Sequence, residues 1–387
     1  MLKIEKYLKE FMYIFLIIPY FQVPYLVENY HITNTLYNLY MMLSFFIIAC
    51  MTINKKGYSK ILNYVGFLMI ILLFSTFMNR GNLLFCFETI ISIFGICLIT
   101  DYGIRYDKEY FFKALKNFLS ILVLINFLSI LIFPKGMYMR STGYIENWIL
   151  GYKNTHILFI IPCILSNYIY TYVSNKKNIF SSLILFVGVI STILVNNTTG
   201  LIGLSLIVLF VLFKSIFNNT SIMNVYNYFI VHIVLFISFV ILRIQNLFSY
   251  IIVDLLHKDI TLTGRVYIWD KALDYIKHKP LYGYGNVSFK FNEYIYSTHN
   301  AILGILHKVG IIGFIAYIVL VFQAIKKLWE NRNTYISKLI SIVLFSYLVM
   351  MVTEAYAFSY YMYIFVIAYD ITFILKGGVS NEKSIAR

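Results

Sequence analysis

Negative charge is scarce in this chain. Its 387 residues hold 17 Asp and Glu against 32 Lys and Arg, and charged residues of every kind make up only 13%. That excludes an ordinary soluble domain. With 60% hydrophobic residues, the balance is that of an all-α, polytopic integral membrane protein. Cysteine is scarce too. Cys50, Cys86, Cys97 and Cys163 all lie in apolar runs without paired spacing, which argues against disulfides and a thiolate metal site. No internal repeat, low-complexity tract or folded soluble domain interrupts the chain, so residues 1–387 read as one membrane domain. The first apolar run has no small-residue cleavage site and further runs follow, so it is no cleavable signal peptide. What abounds is Tyr (35) and Phe (34). AT-rich codons alone produce that bias, and aromatic belts at the membrane interfaces can exploit it.

A helix needs about 20 mostly apolar residues to span a bilayer. Twelve segments qualify: about 10–27, 36–53, 61–78, 83–100, 115–133, 156–173, 180–196, 200–217, 226–246, 300–323, 336–353 and 356–375. Pro19, Pro24 and Pro162 fall within them, which neighbouring helices tolerate. Twelve spans put both termini on one side. With the termini in the cytoplasm, twenty Lys and Arg fall in short inside segments. Four, Arg80, Lys135, Arg140 and Lys153, fall in short outside loops. This is a positive-inside bias. The net charge of +15 is therefore mainly a topology signal, and nucleic acid is not an expected partner.

The one extramembrane element of consequence is the large outside loop, 247–299. Val266, Trp269, Ala272, Leu273 and Ile276 recur at helical spacing, which predicts an amphipathic helix from Val266 to His278. Thr263 suits its N-cap and Pro280 its stop. Such a helix can lie on the membrane surface. Arg265 sits in the first turn, where a cation opposes the helix dipole, and this points to another partner. Gly283-Tyr284-Gly285 lacks the preceding strand of a dinucleotide fingerprint and reads as a tight turn. His299-Asn300 stands where the chain re-enters the membrane, either as helix caps or as the polar mouth of a cavity. His307 and Lys308 follow inside a span, where ionisable groups usually face the protein interior. A second outside cluster runs from Arg140, Ser141, Thr142 and Gly143 through Glu146 and Trp148 to Gly151, Lys153, Asn154 and His156. Asn196 to Gly200 forms a third, smaller polar mouth. No second carboxylate or histidine stands at metal-ligand spacing, so neither a metal site nor a cofactor is expected.

Taken in order, Gly264-Arg265, Trp269, the Pro280/Gly283/Gly285 turn, His299-Asn300 and Gly310 resemble the O-antigen ligase and polymerase superfamily. This family comprises the Wzy-type repeat-unit polymerases and the lipid A-core O-antigen ligases. Gly151-Tyr152-Lys153-Asn154 resembles a further, weaker pattern of the family, and the large loop before the last three spans fits as well. One position departs from it. Where the family often carries a Ser-Arg pair between spans 7 and 8, this chain has Thr198-Thr199-Gly200, and Arg140 or Arg265 would have to cover any phosphate role of that loop.

The resemblance implies a C-type glycosyltransferase-like fold in the bacterial cytoplasmic membrane, acting at its outer face. The donor and acceptor would be undecaprenyl-diphosphate-linked glycans. A flippase and a chain-length regulator would be protein partners. Polymerisation of repeat units into capsule, O-antigen or exopolysaccharide is the leading expectation. The sibling ligase follows, and a transporter or flippase comes last. A diphosphate leaving group needs its developing charge stabilised, and Arg does this bidentately. Arg265 and Arg140 are the candidate cations. His299 is the candidate base or orienter of the acceptor hydroxyl. Lys153, Asn154, Asn300, Trp269, Gly283 and Gly285 are the candidate substrate-binding residues. Trp148 and Trp269 could stack on sugars, and Trp269 suits packing equally well.

Overall fold

The computed structural model describes residues 2–140, 143, 146–176, 179–213, 224–244, 247, 250, 264–291, 294, 295 and 297–376. Fifteen α-helices follow one another within them: α1 (Leu2–Ile17), α2 (Pro24–Asn29), α3 (His31–Lys55), α4 (Ile61–Met78), α5 (Leu83–Tyr106), α6 (Lys108–Ile132), α7 (Ile157–Ser174), α8 (Ile179–Leu194), α9 (Thr198–Leu212), α10 (Val225–Phe236), α11 (Arg265–His278), α12 (Ala301–Glu330), α13 (Tyr335–Met350), α14 (Met362–Tyr369) and α15 (Ile371–Leu375). Sheet is confined to two hairpins. β1 (Asn147–Trp148) pairs with β2 (Gly151–Tyr152), and β3 (Lys290–Phe291) with β4 (Tyr294–Ile295).

Six helical segments are long and apolar enough to cross a membrane: Ile32–Lys55, Ile61–Met78, Leu83–Tyr106, Lys108–Ile132, Lys153–Ser174 and Ala301–Glu330. Five shorter apolar helices join them, at Ile179–Leu194, Thr198–Leu212, Val225–Ile241, Tyr335–Met350 and Phe358–Tyr369. With α1, they fall on the twelve apolar segments of the sequence. The boundaries of the first segment need correction. Pro19, whose ring removes a backbone donor, stands in a 3-10 turn after Ile17, and Pro24 opens α2, so 10–27 is not one helix. Pro162, in contrast, is accommodated inside α7. The tenth helix passes into a π-turn at Ile237–Ile241. One core runs through the bundle. α14 lies deep in it, with every residue from Met362 to Ala368 buried. α3 and α4 turn Ile32, Leu36, Leu43, Phe46, Phe67, Ile70, Phe74 and Phe77 outward, the surface a lipid solvent would cover.

The helix α12 is broken, and a loop completes it. Gly310 has φ +61° and ψ −165°, so its turn of α12 cannot close. The backbone N–H groups of Ile311 and Ile312 donate instead to the carbonyls of Pro280 (2.8 Å) and Leu281 (3.1 Å). In return, the N–H groups of Tyr284 and Gly285 donate to the carbonyls of His307 (2.7 Å) and Lys308 (2.8 Å). Four polar groups that a break would strand in an apolar bundle are thus satisfied by the loop. The glycines are what allow this approach. Gly283 and Gly285 have φ of +68° and +75°. A Cβ on Gly283 would meet the His307 carbonyl oxygen at 2.6 Å, and one on Gly310 would meet that of Leu281 at 2.3 Å. Gly283 and Gly285 therefore act as backbone residues of the fold. Asn79 of α4 adds a side-chain bond to the Gly283 carbonyl at 3.0 Å.

Candidate active site

The predicted amphipathic helix is present as α11, starting one residue earlier, at Arg265. Gly264 caps it in the left-handed conformation with φ +79°; Thr263 lies outside the described residues. Asp270, Lys271, Asp274 and Lys277 face solvent as the periodicity requires. The opposite face does not lie on lipid. Ile268, Trp269 and Ala272 form a small separate core with Val240, Phe289 and Leu303. Trp269 is fully buried, so no ring face is open to a sugar. Arg243 lies over its ring, and its indole N–H points at the His299 carbonyl, 3.4 Å away. Trp148 is likewise buried and donates to the Phe133 carbonyl at 2.7 Å. Both tryptophans pack the protein.

The partner of Arg265 is Glu354. Its guanidinium Nη2 donates to Oε1 of Glu354 at 2.7 Å, and Nδ2 of Asn154 donates to the same oxygen at 3.0 Å. The other oxygen, Oε2, lies 3.8 Å from Nδ1 of His299. One carboxylate, only 9% exposed, therefore gathers the cation, the amide and the imidazole. It also resolves the position of Arg265, because a carboxylate at the start of α11 favours the helix dipole that the guanidinium opposes.

Glu354 reaches this place because its turn is docked on the start of α12. Ala301 N–H donates to the Met351 carbonyl at 3.0 Å, and the Asn300 amide donates to that of Val352 at 2.9 Å. Asn300 also caps α12, its Oδ1 accepting from Leu303 N–H at 3.0 Å. It is fully buried, so it holds the turn that carries Glu354 and is not spread toward a substrate. His299, next to it, has φ +49°, a left-handed conformation that costs a non-glycine residue about 1–2 kcal/mol. Its Nδ1 makes no hydrogen bond and its side chain is 30% exposed. Its imidazole thus faces a carboxylate on one side and is open on the other.

The remaining candidates divide. Asn154 belongs to the cluster, and its neighbour Lys153 pairs with Glu146 at 2.6 Å. The third polar mouth joins here through Asn197, whose Nδ2 donates to the Lys153 carbonyl at 3.0 Å. Arg140 is engaged elsewhere, with Glu28 at 2.7 Å, and Tyr138 donates to the other oxygen of Glu28 at 3.0 Å. Burial, then that carboxylate, push the Tyr138 phenol up from its ordinary value. Ser141 and Thr142 lie outside the described residues. His307 is buried among rings, stacked on Tyr284 at 5.1 Å and edged by Phe289. Among the described residues, no three His, Cys, Asp or Glu side chains gather to hold a metal.

Fold and site together define the class: an all-α protein of many apolar helices with a charged cluster at the end of the bundle where α7, α9 and α12 begin and α13 ends. The family model described as O-antigen ligase matches residues 180–318, so this part of the chain is similar to the O-antigen ligase and polymerase superfamily. The match spans Arg265 and His299; Asn154 and Glu354 lie outside it. A comparison with curated proteins finds no match. The match supports a function broadly of ligase or polymerase type, the family being one that acts on lipid-linked glycans in a membrane.

Proposed function

We propose that the protein polymerises undecaprenyl-diphosphate-linked repeat units into surface polysaccharide at the outer face of a bacterial cytoplasmic membrane. The observation that carries the reading is the single carboxylate of Glu354, which holds Arg265 at 2.7 Å and faces His299 at 3.8 Å. In the transfer step, an acceptor hydroxyl oxygen bonds to the anomeric carbon of the donor glycan. The bond from that carbon to the diphosphate oxygen breaks, and its electrons leave on the diphosphate. Arg265 keeps further guanidinium donors for that charge while Nη2 stays on Glu354. His299 takes the hydroxyl proton on Nε2, with Glu354 stabilising the imidazolium from the Nδ1 side. Asn154 fixes the carboxylate.

Ligation of a finished glycan to a final acceptor uses the same chemistry, and the description of the matching family favours it as the second reading. Deleting the gene and resolving surface glycan by size separates them. Loss of the long ladder with single repeat units retained supports polymerisation. Long polymer left unattached to its acceptor gives the ligase reading. Repeat units trapped on the cytoplasmic leaflet contradict both and point to a flippase.

A further inference from the structure

Lys308 is, among the described residues, a cation without a counter-ion. Among the described residues, no carboxylate lies within 4.0 Å of its ammonium and no protein acceptor hydrogen-bonds it. It is half-buried in α12, two residues before the break at Gly310. An ammonium in an apolar bundle is expensive unless it serves an anion. Lys308 lines a cavity of about 420 Å³ together with Asn286, Ser297, Thr298, Tyr356 and Tyr361. Among the described residues no Asp or Glu lines it, so its one charged wall group is cationic. The hydroxyl and amide groups around Lys308 suit a polar ligand, and a volume of this size lies within the usual range of small-molecule sites.

The cavity adjoins the cluster described above. Its wall residues Thr298 and Ala355 directly precede His299 and follow Glu354. Lys308 stands about two helical turns into α12, so the cavity lies at the same end of that helix as Arg265 and His299, toward the start of the apolar segment 300–323.

We propose that this cavity receives an oxyanion of the lipid-linked substrate, with Lys308 as its counter-ion. The proposal rests on the glycan-transfer reading and adds a substrate subsite to it. Two parts of such a substrate carry that chemistry: the phosphate next to the lipid chain and an acidic group on a sugar. The full-length protein in nanodiscs of zwitterionic lipid tells them apart. Calorimetric binding of farnesyl diphosphate and of glucuronate is measured for the native protein, Lys308→Met and Lys308→Arg, with farnesol and glucose as neutral probes.

A lipid phosphate as occupant weakens farnesyl diphosphate binding about tenfold or more in Lys308→Met. An acidic sugar as occupant produces that loss for glucuronate. In either case Lys308→Arg retains most of the affinity and the neutral probes do not change. Equal binding of both anions by native protein and Lys308→Met overturns the proposal, as does full-length surface glycan restored to a deletion strain by Lys308→Met. Neither result touches the glycan-transfer reading, which stands or falls on the deletion strain itself. Thermal melting of the Lys308→Met protein checks that it is folded, and removal of an unpaired charge leaves no polar group stranded.

Discussion

Arg265 and Glu354 meet at 2.7 Å although 89 positions separate them in the chain. The pair joins the start of α11 to the turn between α13 and α14, and His299 completes it from the start of α12. If this cluster carries the transfer, Glu354→Gln removes the charge with little change of shape and lowers polymer formation about 30- to 1,000-fold. Arg265→Ala and His299→Ala fall in the same range. Arg265→Lys is also impaired, since an ammonium cannot bridge carboxylate and phosphate as a guanidinium fork does. Surface glycan in a deletion strain carrying each variant, at matched protein levels, gives the measurement. His278→Ala, on the exposed end of α11, is the control and is expected to be mild.

Arg140 and Arg265 are both candidate cations by sequence, and their surroundings set them apart. Arg140 is bound to Glu28, whereas Arg265 is bound to Glu354. An exposed ion pair contributes about 0–1 kcal/mol, so Arg140→Ala is expected to leave folding and polymer nearly unchanged. A loss of polymer as deep as that of Arg265→Ala would instead give the diphosphate to Arg140.

The break in α12 makes its glycines structural. Gly310→Ala forces a side chain into φ +61° and brings its Cβ to 2.3 Å from a carbonyl oxygen. Backbone strain of about 1–3 kcal/mol and a comparable overpacking cost follow. Gly283→Ala meets the same conflict from the loop side. Both proteins are expected at low yield with depressed melting temperatures in detergent. Gly143→Ala, where φ is +85° but nothing lies within 4 Å, pays the strain alone and is the comparison.

Orientation is open to direct labelling. In a Cys50→Ala background, which removes the exposed native thiol, cysteines at Ser288 and Lys176 are probed on whole cells with an impermeant maleimide. The positive-inside asymmetry predicts labelling at Ser288 and none at Lys176. The reverse pattern would put the cluster on the cytoplasmic side.

Much of this architecture is legible in the sequence because hydrocarbon is a simple solvent. Apolar length marks the helices, and an amphipathic period marks α11. Arg265 was legible as a cation placed against a helix dipole. Glu354 was not. A lone carboxylate in a short turn between two apolar helices has no local pattern, and its partners Asn154 and Arg265 lie 200 and 89 positions away. The glycines at 283 and 310 read separately as a turn and a helix interior. Only their backbone exchange shows why both are needed. Trp269 and Asn300 read equally well as ligand contacts or as packing and cap. Burial, which sequence does not state, decides for the latter.

The most direct test uses the purified full-length protein in nanodiscs with undecaprenyl-diphosphate-linked repeat units as sole glycan substrate. Products are resolved by size for the native protein and for Glu354→Gln. The expected result is a ladder of lengthening lipid-linked glycan with the native protein, and single repeat units with Glu354→Gln. No growth with the native protein, or an undiminished ladder with Glu354→Gln, would contradict polymerisation at this cluster.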